Sequence, residues 1–203
     1  DIEDVRAEEM IKKEIVINPG FEEYVIDTRK SDHTADELVL KAALQKRLAL
    51  KKQLEKEGSG VNPLLLVQLP DTKQGMPDKR EEVELLLRKY GYTRQNGRLA
   101  VYLSEKDNKT NLVNIEKNEN DVDVLIFKQA IALGWDCPRA AILVLFRQWR
   151  DETMTFSIQT LGRIMRMPEH KHFTDDELNI AYLFTSLPDI NTRIIEGASS
   201  GIR

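Results

Sequence analysis

Five short, nearly uninterrupted apolar runs mark the later two-thirds of the chain, at Leu64–Gln68 and at residues 99–103, 122–127, 141–146 and 180–185. Each is too short for a helix, and none shows the strict alternation of a strand with one solvated face. They read as strands buried on both sides. Helix candidates at 79–90, 128–133 and 155–167 fall between them. Strands alternating with helices imply βαβ units, so the expected fold class is α/β, a doubly wound and mostly parallel sheet with helices on both faces. In such sheets the chemistry gathers at the carboxyl ends of the strands, which directs attention to the loops after Phe127 and Phe146.

Residues 1–60 differ in character and are expected to form a connector beside a main domain at 61–203. Residues 13–17 make a short strand candidate stopped by Asn18-Pro19-Gly20. A helix is expected over 35–57, with Asp32 or Thr34 near its N-cap and Gly58-Ser59-Gly60 ending it. Leu38, Ala42, Leu44, Leu48, Leu50 and Leu54 give that helix an apolar stripe, which suits packing against the main domain rather than catalysis. A chain of 203 residues buries about 70% of its unfolded surface and needs no covalent staple.

The longest strongly apolar stretch, 140–146, is far below the roughly 20 residues of a membrane-spanning helix. The single cysteine, Cys137, allows no internal disulfide and no cysteine-rich zinc site, which fits a reducing cytoplasm. The chain opens Asp-Ile-Glu-Asp, with neither an initiator Met nor a signal-peptide pattern, and is read as a piece of a longer protein.

A net charge of −4 argues against a uniformly basic nucleic-acid binder, yet the charge is unevenly placed. Residues 128–173 carry seven Lys and Arg against four Asp and Glu, and every other part of the chain is net negative. Five of those seven are Arg, the residue suited to bidentate phosphate contacts.

Two constellations occupy this basic segment. In the first, Gly134-Trp135-Asp136 lies between two expected strands. A glycine there lets backbone approach a ligand closely, and the carboxylate can accept from a ribose hydroxyl or orient a basic group. Taken alone it is a turn, with Trp135 packed and Asp136 capping. The second is Gln159-Thr-Leu-Gly-Arg-Ile-Met-Arg166. On a continuous helix Gln159, Arg163 and Arg166 share one face, and Ile158, Leu161 and Met165 form the opposing apolar face. Gly162 costs such a helix about 1 kcal/mol relative to Ala, which calls for a packing or close-approach reason. With an Asp-bearing loop beside it, this face is read as phosphate-facing.

The pair Lys128-Gln-Ala-x-x-x-Gly-Trp-Asp-x-Pro138 and Gln159-x-x-Gly-Arg-x-x-Arg166 resembles the fifth and sixth motifs of superfamily-2 helicases and translocases, and Leu64–Gln68 resembles the fourth. The Gly-Trp-Asp form and Met167-Pro168 are most similar to the motor subunit of type III restriction enzymes. The resemblance covers residue 63 to about 168 in the family's order. It implies the second of two RecA-like, three-layer domains, in a DNA-dependent ATPase or translocase. ATP with Mg would lie between this domain and a first RecA-like domain of the same chain, because no Gly-x-x-x-x-Gly-Lys-Ser/Thr loop occurs here. By position, Arg163 and Arg166 would be arginine fingers and Gln159 would order the interface. Gly134, Asp136 and Gly162 would adjoin the nucleotide, with Gly134 and Asp136 linking it to nucleic acid. Lys128, Gln129 and Gln68 would contact the DNA backbone. Where many relatives carry Thr early in the fifth motif, this chain has Phe127-Lys128-Gln129. A modification subunit is a further implied partner, and any nuclease domain would lie beyond Arg203.

Other features are weaker. His170-x-His172 has no second ligand cluster to make a metal site with, and Trp149 serves strand-end packing or base stacking equally well. The rival reading is a nucleic-acid or protein binding module without ATPase activity of its own. A complete small-molecule enzyme would need a nucleophile and base, or a dinucleotide glycine fingerprint, and neither pattern occurs.

Overall fold

The computed structural model describes residues 9–20, 34–70, 78–103, 110–128, 136–146 and 160–186. Within them lie six strands: β1 (Glu14–Ile17), β2 (Leu64–Gln68), β3 (Leu99–Tyr102), β4 (Val124–Phe127), β5 (Ala140–Leu145) and β6 (Ile180–Phe184). They form one sheet in the order β1-β6-β5-β2-β4-β3, and every pairing is parallel. Two helices, α1 (Ala35–Lys56) and α2 (Lys79–Lys89), a 3-10 turn at Asp176–Asn179 and a helical stretch at 160–164 complete the described elements.

The continuous apolar runs are explained by burial on both faces. Leu65 and Val67 of β2, Val124 and Ile126 of β4, and Ile142 and Val144 of β5 pack with Leu40, Leu44 and Leu50 of α1 and Leu87 of α2. The alternate residues Leu64, Leu66, Leu125, Phe127, Leu143 and Leu145 pack instead with Ile115, Cys137, Leu161 and Ile164. This gives the three-layer α/β arrangement of a RecA-like domain, with a parallel sheet as the middle layer.

Local chemistry sets the helix starts. The Thr34 side chain accepts from the Glu37 amide at 3.2 Å, so Thr34 rather than Asp32 caps α1, and Asp78 accepts from the Arg80 amide at 3.1 Å to cap α2. From the segment read as a connector, β1 pairs with β6 at one sheet edge and α1 packs across β2, β5 and β6. The α1 stripe differs at one turn. Leu48 is 44% exposed, and the inward place beside it is taken by Arg47 at 2%.

Arg47 belongs to a buried polar cluster under the amino ends of the central strands. Its guanidinium pairs with Asp123 and donates to the Pro63 carbonyl at 2.9 Å and to Asn62 Oδ1. Asn62 Nδ2 donates to the same Asp123 oxygen at 2.9 Å, and Arg98 Nε donates to the other at 2.5 Å. Arg139, 1% exposed, donates to the carbonyls of Ile115, Asn62 and Val122 at 2.7, 2.7 and 2.9 Å. Burial pushes both Arg47 and Arg139 below the ordinary arginine range, with Asp123 acting in the opposite direction. β4 starts at Val124 rather than 122, and the Asp123 side chain just before it pairs with Arg47 and Arg98.

Replacing Asp123 by Ala leaves a buried guanidinium without its counter-charge, and the loss of stability expected is about 3–5 kcal/mol. Urea unfolding of Asp123→Ala checks this. A loss below about 1 kcal/mol would show that solvent reaches the cluster.

Candidate functional site

The sequence directs attention to the loops at the carboxyl ends of the strands, and the structure divides the candidate residues it describes between the two edges. Gln68 ends β2 and Lys128 follows β4, so both stand at the carboxyl edge. Asp136 precedes β5 by four residues, and the Arg166 carbonyl shares the Lys12 amine with the carbonyl of Ala140, the first residue of β5. Asp136 and Arg166 therefore stand at the amino edge, a strand length or roughly 13–20 Å away. Gln159, Gly134, Gln129, Trp135 and Trp149 lie outside the described residues.

At the amino edge the two motif segments meet. Arg166 Nη1 donates to Asp136 Oδ2 at 2.5 Å, with both side chains about half exposed, 54% and 52%. An ion pair this open is worth about 0–1 kcal/mol, so an incoming anion can replace the carboxylate at little cost. Arg163 is half-buried and lies close enough to both to feel them: burial and the neighbouring Arg166 charge lower its pKa, and Asp136 opposes this. Two guanidinium groups thus lie near one carboxylate, a grouping suited to meeting a phosphate.

The helix carrying these arginines ends sooner than the spacing implies. Residues 160–164 are helical, whereas Arg166 forms an antiparallel bridge with Ile11. Arg163 and Arg166 are neighbours through this turn in the chain, not through a common helical face. On the packing side Leu161 and Ile164 are buried, with Met165 packed beside them. Gly162 is exposed, and a Cβ built on it meets no atom within 4 Å. Packing therefore does not explain this glycine, and the surface above it is open.

The bridge to Ile11 rests on a residue that no sequence pattern singles out. Lys12, 2% exposed, directs its amine at three carbonyls: Ala140 at 3.2 Å, Arg166 at 3.0 Å and Ile164. Burial pushes its pKa from 10.5 down to about 7, with the neighbouring Cys137 working in the opposite direction. Cys137 itself is buried, and its thiol is pushed up to about 11, chiefly by desolvation, which makes it unreactive at neutral pH.

At the carboxyl edge, Lys128 lies 3.5 Å from Asp78, the cap of α2. Nearby, Lys79 joins Asp36 at 2.5 Å and Glu82 at 2.7 Å and lies over the Phe146 ring, and Ser186 donates to Asp36 at 2.7 Å. Gln68 is fully enclosed, and neither of its amide atoms has a hydrogen-bond partner among the described residues. A DNA contact from Gln68 therefore requires the chain over it to move. His172 Nε2 lies 2.9 Å from the Ile11 carbonyl, and among the described residues no group of three His, Cys, Asp or Glu could hold a metal ion.

No family model matches the chain, and no curated protein matches it.

Two outcomes follow from this geometry. Gly162→Ala meets no clash and adds helix propensity, so stability should rise by up to about 1 kcal/mol, read as a higher melting temperature. For Lys12, the unfolded chain keeps its proton up to about pH 10.5 and the folded chain only to about 7, so the unfolded state binds more protons across that window. The Lys12 contribution therefore makes stability rise with pH from about 7 to 10.5 and is constant below 7. Urea midpoints between pH 7 and 10 should climb less steeply in Lys12→Met than in the parent. Equal slopes would show that the amine is hydrated.

Proposed function

We propose that this chain is the second RecA-like domain of a DNA-dependent ATPase or translocase of the type III restriction class. The observation that carries the reading is the Asp136–Arg166 contact, which joins the two segments resembling the fifth and sixth motifs on one open surface. The half-buried Arg163 beside them adds a second guanidinium. A doubly wound parallel sheet is the fold such a domain requires.

The donors present suit a polyphosphate: two guanidinium groups and, at Gly162, open backbone that a ligand can approach. Magnesium ligands are assigned to the first RecA-like domain, together with the phosphate loop. ATP supplies the phosphoryl group that is transferred to water. Arg163 and Arg166 neutralise the negative charge that develops during transfer, a contribution worth about 10³- to 10⁵-fold in related chemistry. Asp136 holds Arg166 in place until phosphate replaces it. Contacts to the DNA backbone are assigned to the carboxyl edge, at Lys128. Nucleotide and DNA then occupy opposite ends of the same strands.

The test is DNA-stimulated ATP turnover by the full-length protein. Arg166→Lys keeps the charge but loses the planar fork, so kcat should fall by about tenfold or more while ATP affinity changes less. Gly162→Ala should reduce turnover even as it raises the melting temperature, because the added methyl intrudes on the phosphate approach. Parental rates in both Arg163→Lys and Arg166→Lys would reject the reading and leave the binding-module alternative.

A further inference from the structure

We propose that Lys12 is a positioning residue for Arg163 and Arg166, and that residues 10–13 form a strap fixing where the two guanidinium groups stand. The inference rests on the phosphate-facing reading of those arginines and adds how their position is controlled.

A helix leaves its last carbonyls without partners, and the arginine segment has this difficulty at its end. The Lys12 amine supplies donors to the Ile164 and Arg166 carbonyls from within the core. Main-chain bonds flank them: the Lys12 amide donates to Met165 at 2.6 Å and the Met167 amide to Met10 at 3.0 Å. The backbone of Arg166 is therefore clamped on both sides, while its side chain remains 54% exposed.

The third acceptor links the two motifs. Ala140 opens β5 four residues after Asp136, the partner of Arg166, so one amine ties together the stems of both halves of the ion pair. Three carbonyls match the three N–H groups of an ammonium.

Packing alone does not call for lysine at this place. A Met would fill similar volume without the cost of desolvating an amine. What lysine adds is the junction of the arginine segment with β5. The far side of the strap is equally fixed, since the Lys13 amide donates to Asn179 at 2.8 Å and its amine pairs with Asp176. From there the chain runs directly into β1, the edge strand.

The experiment uses the full-length protein with Lys12→Met and Lys12→Gln, each alone and combined with Arg166→Ala. Amide exchange at Met167 should accelerate about tenfold in Lys12→Met, while central-sheet amides such as Leu66 and Val144 stay protected. A misplacement near 1 Å costs up to about 10²-fold, so kcat should fall by about tenfold to a hundredfold with a smaller change in KM for ATP. Lys12→Gln, which keeps two donors, should recover part of the loss, and it replaces Lys12→Met in every measurement if the Met variant does not fold. Because Lys12 acts through the two arginines, the loss in the double variant should be smaller than the two single losses combined. Losses that simply add, or unchanged Met167 exchange, would overturn the strap while leaving the arginine reading intact. Parental turnover in Arg166→Ala would overturn both.

Discussion

The Asp123 carboxylate is the point on which the rest of the structure depends. It receives Arg47 from α1, Arg98 from the turn before β3, and Asn62 from the approach to β2. Arg139, beside the start of β5, is fixed by the carbonyls of Ile115, Asn62 and Val122 in the same region. Apolar packing drives the sheet together, but one hydrophobic face fits another in several registers. A fixed carboxylate with directional donors on three sides excludes the alternatives. This cluster holds the amino edge in one arrangement, and on that edge Asp136 and Arg166 meet.

The layer architecture was legible in the sequence because burial on both faces is written as continuous apolar runs. Leu64–Gln68 appears in the structure with the same bounds, and the neighbouring strands differ by one or two residues. The charged residues that fix the register were not legible. Arg47 looks like any basic residue on an amphipathic helix, and Arg139 like any loop residue. Only Asp123, a carboxylate inside an otherwise apolar run, carried a signal.

The candidate site was legible in part, for a related reason. Local spacing predicts a helix through Arg166, but the carbonyl of Ile164, where the helix ends, is bonded by Lys12, 152 residues earlier in the chain. No periodicity near the arginines could contain that information. The general rule that chemistry gathers at carboxyl edges covers Gln68 and Lys128, whereas Asp136 and Arg166 meet at the amino edge. It describes ligands bound by one sheet, whereas a residue serving a ligand held on a neighbouring domain can lie at either end of its own strands.

The strand order has a consequence for how the chain reaches this state. Among the described strands β1 comes first in sequence, yet it pairs only with β6, and Asn18 closes onto Thr185 across a separation of 167 residues. During synthesis β1 has no partner among the described strands until β6 emerges, and contacts of such long range form slowly. The sheet can assemble from its centre while this edge waits. The strap at Lys12, which leads into β1, joins the arginine segment through contacts of the same long range.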